Sequence, residues 1–267
     1  MQPGTKVVLD RRVRQVSTPS ADPQVHIHRS VDTTPGHVPA WQPGSSIGAV
    51  EKILRAAGLE SYQAQQVRIH DETVVVVRPA GDAQRLLRSA RAALPDHYPV
   101  LALYSGTVLD PDLHHDSRPG DLIAAVETTL FDTGRAQDPE QLGTGDEGFD
   151  LGNYDVTHFG EPELLVILPR PEPWAAFAYL NPYGVWGTPG DVMLAAAHRW
   201  HERYGAEPTT IGLANAFTVS RPPTDPADAE RLAIEHVAIA GLTAGTTTRA
   251  YARALLQLDR WCLYDRP

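Results

Sequence analysis

The stretch from Trp174 to Tyr204 places the densest group of aromatic residues in the chain directly before its most regular helical pattern. Val192, Trp200 and Tyr204 share one broad face of that pattern, and Gly205 stands where glycine commonly ends a helix. The spacing therefore predicts a helix over 189–204 with one face against a core. Turn-forming residues interrupt the aromatic group, so we expect some of its side chains in the core and some on a turn. The group comprises Trp174, Phe177, Tyr179, Tyr183 and Trp186.

Residues 46–105 alternate between helical and extended patterns. Apolar residues recur at helical spacing from Ile47 to Ala57, and the β-branched run from Thr73 to Val77 predicts a strand buried on both faces. A second helical pattern covers 81–94, and an apolar strand pattern covers 99–104. A crossover helix between two buried strands makes them parallel, so this order predicts a mixed α/β lobe. One more helix is predicted over 120–130.

The chain from residue 161 onward predicts a second lobe. An apolar strand pattern over 164–168 precedes the helix over 189–204. The other predicted elements are strands over 209–213, 216–220 and 261–264 and helices over 224–238 and 247–256. The sequence thus predicts an α+β fold of two mixed α/β lobes, each a small sheet flanked by helices. The predicted parts are an irregular proline-rich N-terminal arm (1–45), the first lobe with an acidic, glycine-rich connection (46–160), and the second lobe (161–267).

Composition and charge argue against several classes of function. The net charge is -10 and no long run of lysine and arginine occurs, so we expect no nucleic-acid partner. No apolar run reaches the roughly 18 residues of a membrane helix, and the N-terminal residues lack the pattern of a signal peptide, so we expect no membrane association. Because Cys262 is the only cysteine, no internal disulfide can form, and we predict a cytoplasmic protein. None of the common phosphate or dinucleotide loops occurs, and we predict no cofactor.

Four segments of the second lobe carry a family resemblance through their order and spacing. They are PWAAFAYLNPYGVW from Pro173 to Trp186, HRWHERYGAE from His198 to Glu207, FTVSRPPTDPADAERLAIEH from Phe217 to His236, and WCLYD from Trp261 to Asp265. Residues 161–267 therefore resemble the bacterial family catalogued as domain of unknown function 4253. The strand YPVLALY from Tyr98 to Tyr104 is similar to one that precedes the domain in longer members.

The chain departs from this family at two places. Family members usually continue Asn-Glu-Cys-Pro after the aromatic segment, whereas in this chain Trp186 is followed by Gly187, Thr188 and Pro189. Where the family often has Cys-Pro-Asp, this chain has Ala240, Gly241 and Leu242. The resemblance therefore implies a preserved framework and a diverged binding module, with any specialised function near the turn 184–189.

The predicted helix over 189–204 carries one candidate site. His198, His201 and Glu202 stand at i, i+3 and i+4, which is close enough to face a common metal ion or substrate. A third protein ligand would have to come from elsewhere, for example from Glu235 or His236 if the two helices pack together. The alternative is an ordinary polar helix face with ion pairs to neighbouring arginines.

A second candidate site follows the predicted strand over 99–104, where α/β proteins often place their sites. It is a run of oxygen and nitrogen ligands that does not fit the EF-hand spacing, and an exposed loop is the competing interpretation. The run comprises Asp110, Asp112, His114, His115 and Asp116.

These observations lead to three hypotheses and favour a protein that is not an enzyme. The first is a non-catalytic binding or accessory module of the bacterial cytoplasm, which engages another protein and is compatible with an immunity-type or assembly role. Its surface would comprise Tyr183, Trp186, His198, His201 and Glu202. The second is a metal-dependent hydrolase that uses the His/Glu helix face and the Asp/His loop. The third is a structural subunit of a larger assembly. The oligomeric state stays open.

Overall fold

The structure is a computed structural model that describes residues 55, 57–59, 62, 64–129, 160–181, 190–240 and 247–264. The predicted arm, nearly all of the first predicted helix and most of the acidic connection lie outside these residues. The described elements are helices and strands that share one sheet, so the predicted α+β class is confirmed.

The described elements alternate between strands and helices along most of the chain. In chain order they are β1 (Ala64–Ile69), β2 (Glu72–Val77), α1 (Ala83–Ala93), β3 (Tyr98–Ala102), α2 (Gly106–Leu109), α3 (Pro119–Ala125), β4 (Leu164–Leu168), α4 (Ala176–Tyr179), α5 (Gly190–Tyr204), β5 (Ala206–Ile211), β6 (Asn215–Val219), α6 (Pro226–Ala240), α7 (Thr248–Leu255) and β7 (Arg260–Leu263). Short 3-10 helices cover Pro111–Leu113, Val126–Thr128 and Pro173–Ala175. None of the helices in the described part of the chain has the length and apolarity needed to cross a bilayer.

The described strands form one seven-stranded sheet in the order β1-β2-β4-β3-β5-β6-β7, in place of the two small sheets that the sequence predicts. β4 lies between β2 and β3 and is antiparallel to both, so β2 and β3 run in the same direction but are not neighbours. Only β3 and β5 pair in parallel among the described strands. The sequence of β4, Leu-Leu-Val-Ile-Leu, is buried at every position. Such a continuous apolar run suits a central strand with a partner on each edge, which is the place that β4 takes between β2 and β3.

Alternate residues of the central strands bury their side chains in two separate cores. Val75, Leu101 and Leu165 face α1, whose apolar side is buried against them. On the other face of the sheet, Val100 and Val166 belong to the larger core with α4 to α7. Successive side chains of a strand point to opposite faces of the sheet, which divides these residues between the two cores. The candidate site residues lie on the face of the larger core.

The β1–β2 hairpin is absent from the sequence prediction, which places one strand here, at the β-branched run from Thr73 to Val77. The chain reverses at His70 and Asp71, and His70 has a φ of 54°, in the left-handed region. Such a φ is uncommon outside glycine, and neither residue belongs to the Asn-Gly or Asp-Gly pairs that announce a hairpin. Local residue preferences therefore do not reveal this turn.

Candidate functional site

The Asp/His loop between β3 and α3 uses its side chains to hold its own shape. Asp110 accepts a hydrogen bond from the Asp112 amide at 3.0 Å and so caps the short 3-10 helix. His114 Nε2 donates to the carbonyl of Val108 at 2.8 Å. Across the described residues, no three histidine, cysteine or acidic side chains are placed to hold a metal ion. The predicted run of ligands is thus a folded loop in which Asp110, His114 and His115 bond to three different main-chain groups.

His115 links this loop to the aromatic segment. Its Nε2 donates to the carbonyl of Phe177 in α4 at 2.8 Å. A Cβ added at Gly190, the first residue of α5, would lie 1.8 Å from His115 Cε1, so the ring lies directly against the start of that helix. Burial lowers the pKa of His115, while the bond to Phe177 and the nearby carboxylate of Asp191 act in the opposite direction. The Asp/His loop therefore meets the aromatic segment and the start of α5 at His115.

The β1–β2 turn contacts the same loop. His70 Nε2 donates to the carbonyl of His115 at 2.7 Å, and Asp71 forms an ion pair with Arg118 at 3.6 Å. The loop leaves β3 at its carboxyl end, yet these contacts lie at the opposite end of the sheet, beside the start of β2. The loop therefore crosses one sheet face, and His115 does not lie at the carboxyl edge where α/β proteins often place their sites.

Three side chains that no sequence pattern marks as a site form a closed group beside this turn. Arg170 Nη2 donates to Glu72 Oε1 at 2.5 Å, and Arg170 Nε donates to the Tyr179 hydroxyl at 2.6 Å. The Tyr179 hydroxyl donates to Glu72 Oε2 at 2.6 Å. Burial raises the pKa of the Tyr179 hydroxyl, and Glu72 adds to that shift. Both carboxylate oxygens are therefore engaged, and the group joins β2, the end of β4 and α4 as a structural clamp.

The remaining candidate residues, His198, His201 and Glu202, lie on α5 but do not share one set of contacts. His198 lies edge-on against Trp174, with ring centroids 4.5 Å apart, and its Nε2 is 3.7 Å from Glu202 Oε1. His201 instead donates from Nδ1 to the carbonyl of Ala206 at 3.1 Å, where the helix passes into β5. His198 and Glu202 thus share a half-open surface with Trp174, while His201 supports the end of the helix. The predicted site residues Tyr183 and Trp186 lie outside the described residues, as does the turn 184–189.

Glu235 and His236, the possible additional ligands, are engaged inside the fold. Glu235 accepts from Trp200 Nε1 at 2.9 Å and pairs with Arg199 at 2.7 Å. His236 Nδ1 shares a hydrogen bond of 2.8 Å with the Tyr251 hydroxyl. Burial lowers the pKa of His236 to about 3, so its ring is neutral in the folded protein at neutral pH. Neither side chain is directed to the His198 surface.

Comparison with known families matches residues 164–265 to the model described as Domain of unknown function (DUF4253). Residues 164–265 therefore form a DUF4253 segment of this chain. The resemblance predicted over 161–267 is thereby confirmed. The DUF4253 match contains β4 to β7 and the surface of α5, but not the Asp/His loop or the β1–β2 turn, so the His115–Phe177 bond joins the matched segment to residues outside it. Neither the curated proteins nor the solved structures contain a match to this chain.

Proposed function

We propose that this protein is a non-catalytic module that binds another protein through the outer face of α5. The described part of this surface consists of Trp174, His198 and Glu202 and is named the Trp174 face. Tyr183 and Trp186 belong to the proposed surface through their position in the sequence directly before α5.

The observation that carries the proposal is the contact between Trp174 and His198 on a face that is not closed by the core. The His198 side chain keeps 17% of its surface exposed and that of Glu202 keeps 69%. Trp174 is half-buried, with part of its ring packed on the core. Rigid aromatic side chains that offer contact area at low entropic cost, beside adaptable polar groups, are typical of binding surfaces.

The contacts of the other candidate side chains support the protein-binding hypothesis over the hydrolase hypothesis. His114, His115 and His201 each donate a ring hydrogen to a main-chain carbonyl, which fixes loops and a helix end. Each of these histidines keeps a second ring nitrogen, but among the described residues no three histidine, cysteine or acidic side chains are placed to hold one metal ion. Metal analysis of the purified protein distinguishes the two hypotheses. Stoichiometric zinc or manganese that is lost in His201→Ala would favour the hydrolase.

The proposal includes a bacterial cytoplasmic setting and an immunity-type, accessory or assembly role. A single cysteine suits a reducing compartment, and the charge of -10 disfavours nucleic acid as the partner. A structural role in a larger assembly would use the same binding surface.

The test is affinity capture from cells of the native host with matched variants. Glu202→Lys reverses an exposed charge on the Trp174 face, and Asp96→Lys makes the same change in the exposed turn after α1, the helix on the other sheet face. We expect one partner to be retained by the wild type and by Asp96→Lys and lost with Glu202→Lys. A partner retained equally by both folded variants, or no reproducible partner, would contradict the proposal.

A further inference from the structure

We infer that the partner docks on the Trp174 face with an arginine- or lysine-rich segment. This inference rests on the proposed function and adds the chemistry of the partner. The observation that supports it is the distribution of charge on α5. The stripe of α5 that carries His198 and Glu202 differs in charge from the adjacent stripe.

One carboxylate precedes Trp174 in the sequence and two lie on the stripe of α5 that carries His198, and none of them pairs with an arginine within the described part of the chain. Asp191, His198 and Glu202 stand at i, i+7 and i+11 in α5, so they form one stripe along the helix. Asp191 is exposed, and so is Glu172, which precedes Trp174 by two residues. Glu202 has His198 as its only ion-pair neighbour within the described part of the chain, where neither Asp191 nor Glu172 pairs with an arginine.

The arginines of α5 lie on the adjacent stripe and are neutralised by α6. Arg199 pairs with Glu235 at 2.7 Å, and Arg203 pairs with Asp228. Asp228 also receives Arg231 at 3.3 Å. These two cations are therefore engaged by carboxylates of α6. Arg221, outside α5, donates from Nη2 to the main-chain carbonyl of Glu202 at 2.7 Å and not to its carboxylate.

An aromatic ring among carboxylates is suited to an ammonium or guanidinium group. A cation over the indole face is attracted by the ring quadrupole, and the carboxylates add ion pairs at its edge. An arginine also stacks on aromatic faces and can engage a carboxylate with two hydrogen bonds. The overall charge of -10 attracts basic segments at long range, so a test must separate this general attraction from contact with the Trp174 face.

The probe is a fluorescein-labelled hexa-arginine peptide, followed by fluorescence anisotropy at low salt with the full chain. Glu202→Gln removes one negative charge from the Trp174 face, and Asp96→Asn removes one from the control turn. We expect Glu202→Gln to weaken binding by about 3-fold, the size of one exposed charge contact. Trp174→Phe keeps an aromatic ring in place and should weaken it about 2-fold, because tryptophan is the best cation–π partner. Asp96→Asn should leave the affinity unchanged.

Equal weakening by Asp96→Asn and Glu202→Gln, or no binding of hexa-arginine, would overturn the inference. If hexa-arginine does not bind while the capture experiment returns a partner that is lost with Glu202→Lys, the proposed function stands and only the basic segment is wrong. If the peptide binds at the Trp174 face but no partner is captured, the cation preference stands and the proposed protein-binding function fails.

Discussion

Lowering the pH should destabilise this protein through His236. Its pKa is about 3 in the fold, against 6.5 for an ordinary histidine, because the ring is buried. Between these two values the unfolded chain binds a proton that the folded chain does not, so the free energy of unfolding falls as the pH falls below 6.5. At about 1.36 kcal/mol per pH unit, His236 alone lowers the stability by about 2.7 kcal/mol between pH 8 and pH 4.5.

Urea unfolding at pH 8, 6 and 4.5, followed by tryptophan fluorescence, measures this loss. His236→Gln retains an amide that can bond the Tyr251 hydroxyl but does not titrate, so its stability should fall by about 2–3 kcal/mol less than that of the wild type over the same range. His97→Gln, in the turn before β3, is the matched control, because it removes another histidine and leaves the buried His236 ring in place. Equal pH dependence of the wild type and His236→Gln would refute this role of His236. Should His236→Gln fail to fold, an NMR titration of the wild type in which His236 protonates near pH 6 would refute it as well.

Two further substitutions test the contacts around the loop by thermal and urea unfolding. Glu72→Gln leaves Arg170 without its carboxylate and should cost about 1–3 kcal/mol, whereas a change within error would show that the clamp adds no stability. Gly190→Ala directs a Cβ to 1.8 Å from His115 Cε1 and should cost about 1–3 kcal/mol by overpacking. Gly120→Ala is its control, because a Cβ there meets Glu72 at an ordinary 3.7 Å; equal effects of the two alanines would contradict the close contact between Gly190 and His115.

Local patterns predict most elements of the described fold. The strand predicted over 164–168 begins and ends where β4 does, and the helix predicted over 189–204 corresponds to α5, Gly190–Tyr204. Both have signals that depend on neighbouring residues alone: a continuous apolar run in the strand, and a helical face followed by glycine. The strand predicted over 209–213 begins earlier, at Ala206, because the polar residues at its start give no such signal.

The candidate site is less accessible to sequence reasoning because its contacts join distant parts of the chain. Glu72 and Tyr179 are separated by 107 positions, and His115 and Phe177 by 62. Periodicity specifies which face of an element is buried, but not which distant element covers it. Composition marks the Asp/His loop as a possible ligand set, and only the three-dimensional structure shows that His115 is bonded to a carbonyl.

The central position of β4 makes the order of synthesis matter. β2 and β3 leave the ribosome before β4. They do not pair with each other in the native sheet, because β4 lies between them. Their inner edges stay open until residue 168 has been made. Conversely, a fragment that begins at the family boundary, Leu164, would carry β4 with both of its edges unpaired. Five apolar residues with exposed strand edges favour aggregation. Expression of the family segment alone should therefore yield insoluble protein, and residues from 64 onward belong in any fragment intended to fold.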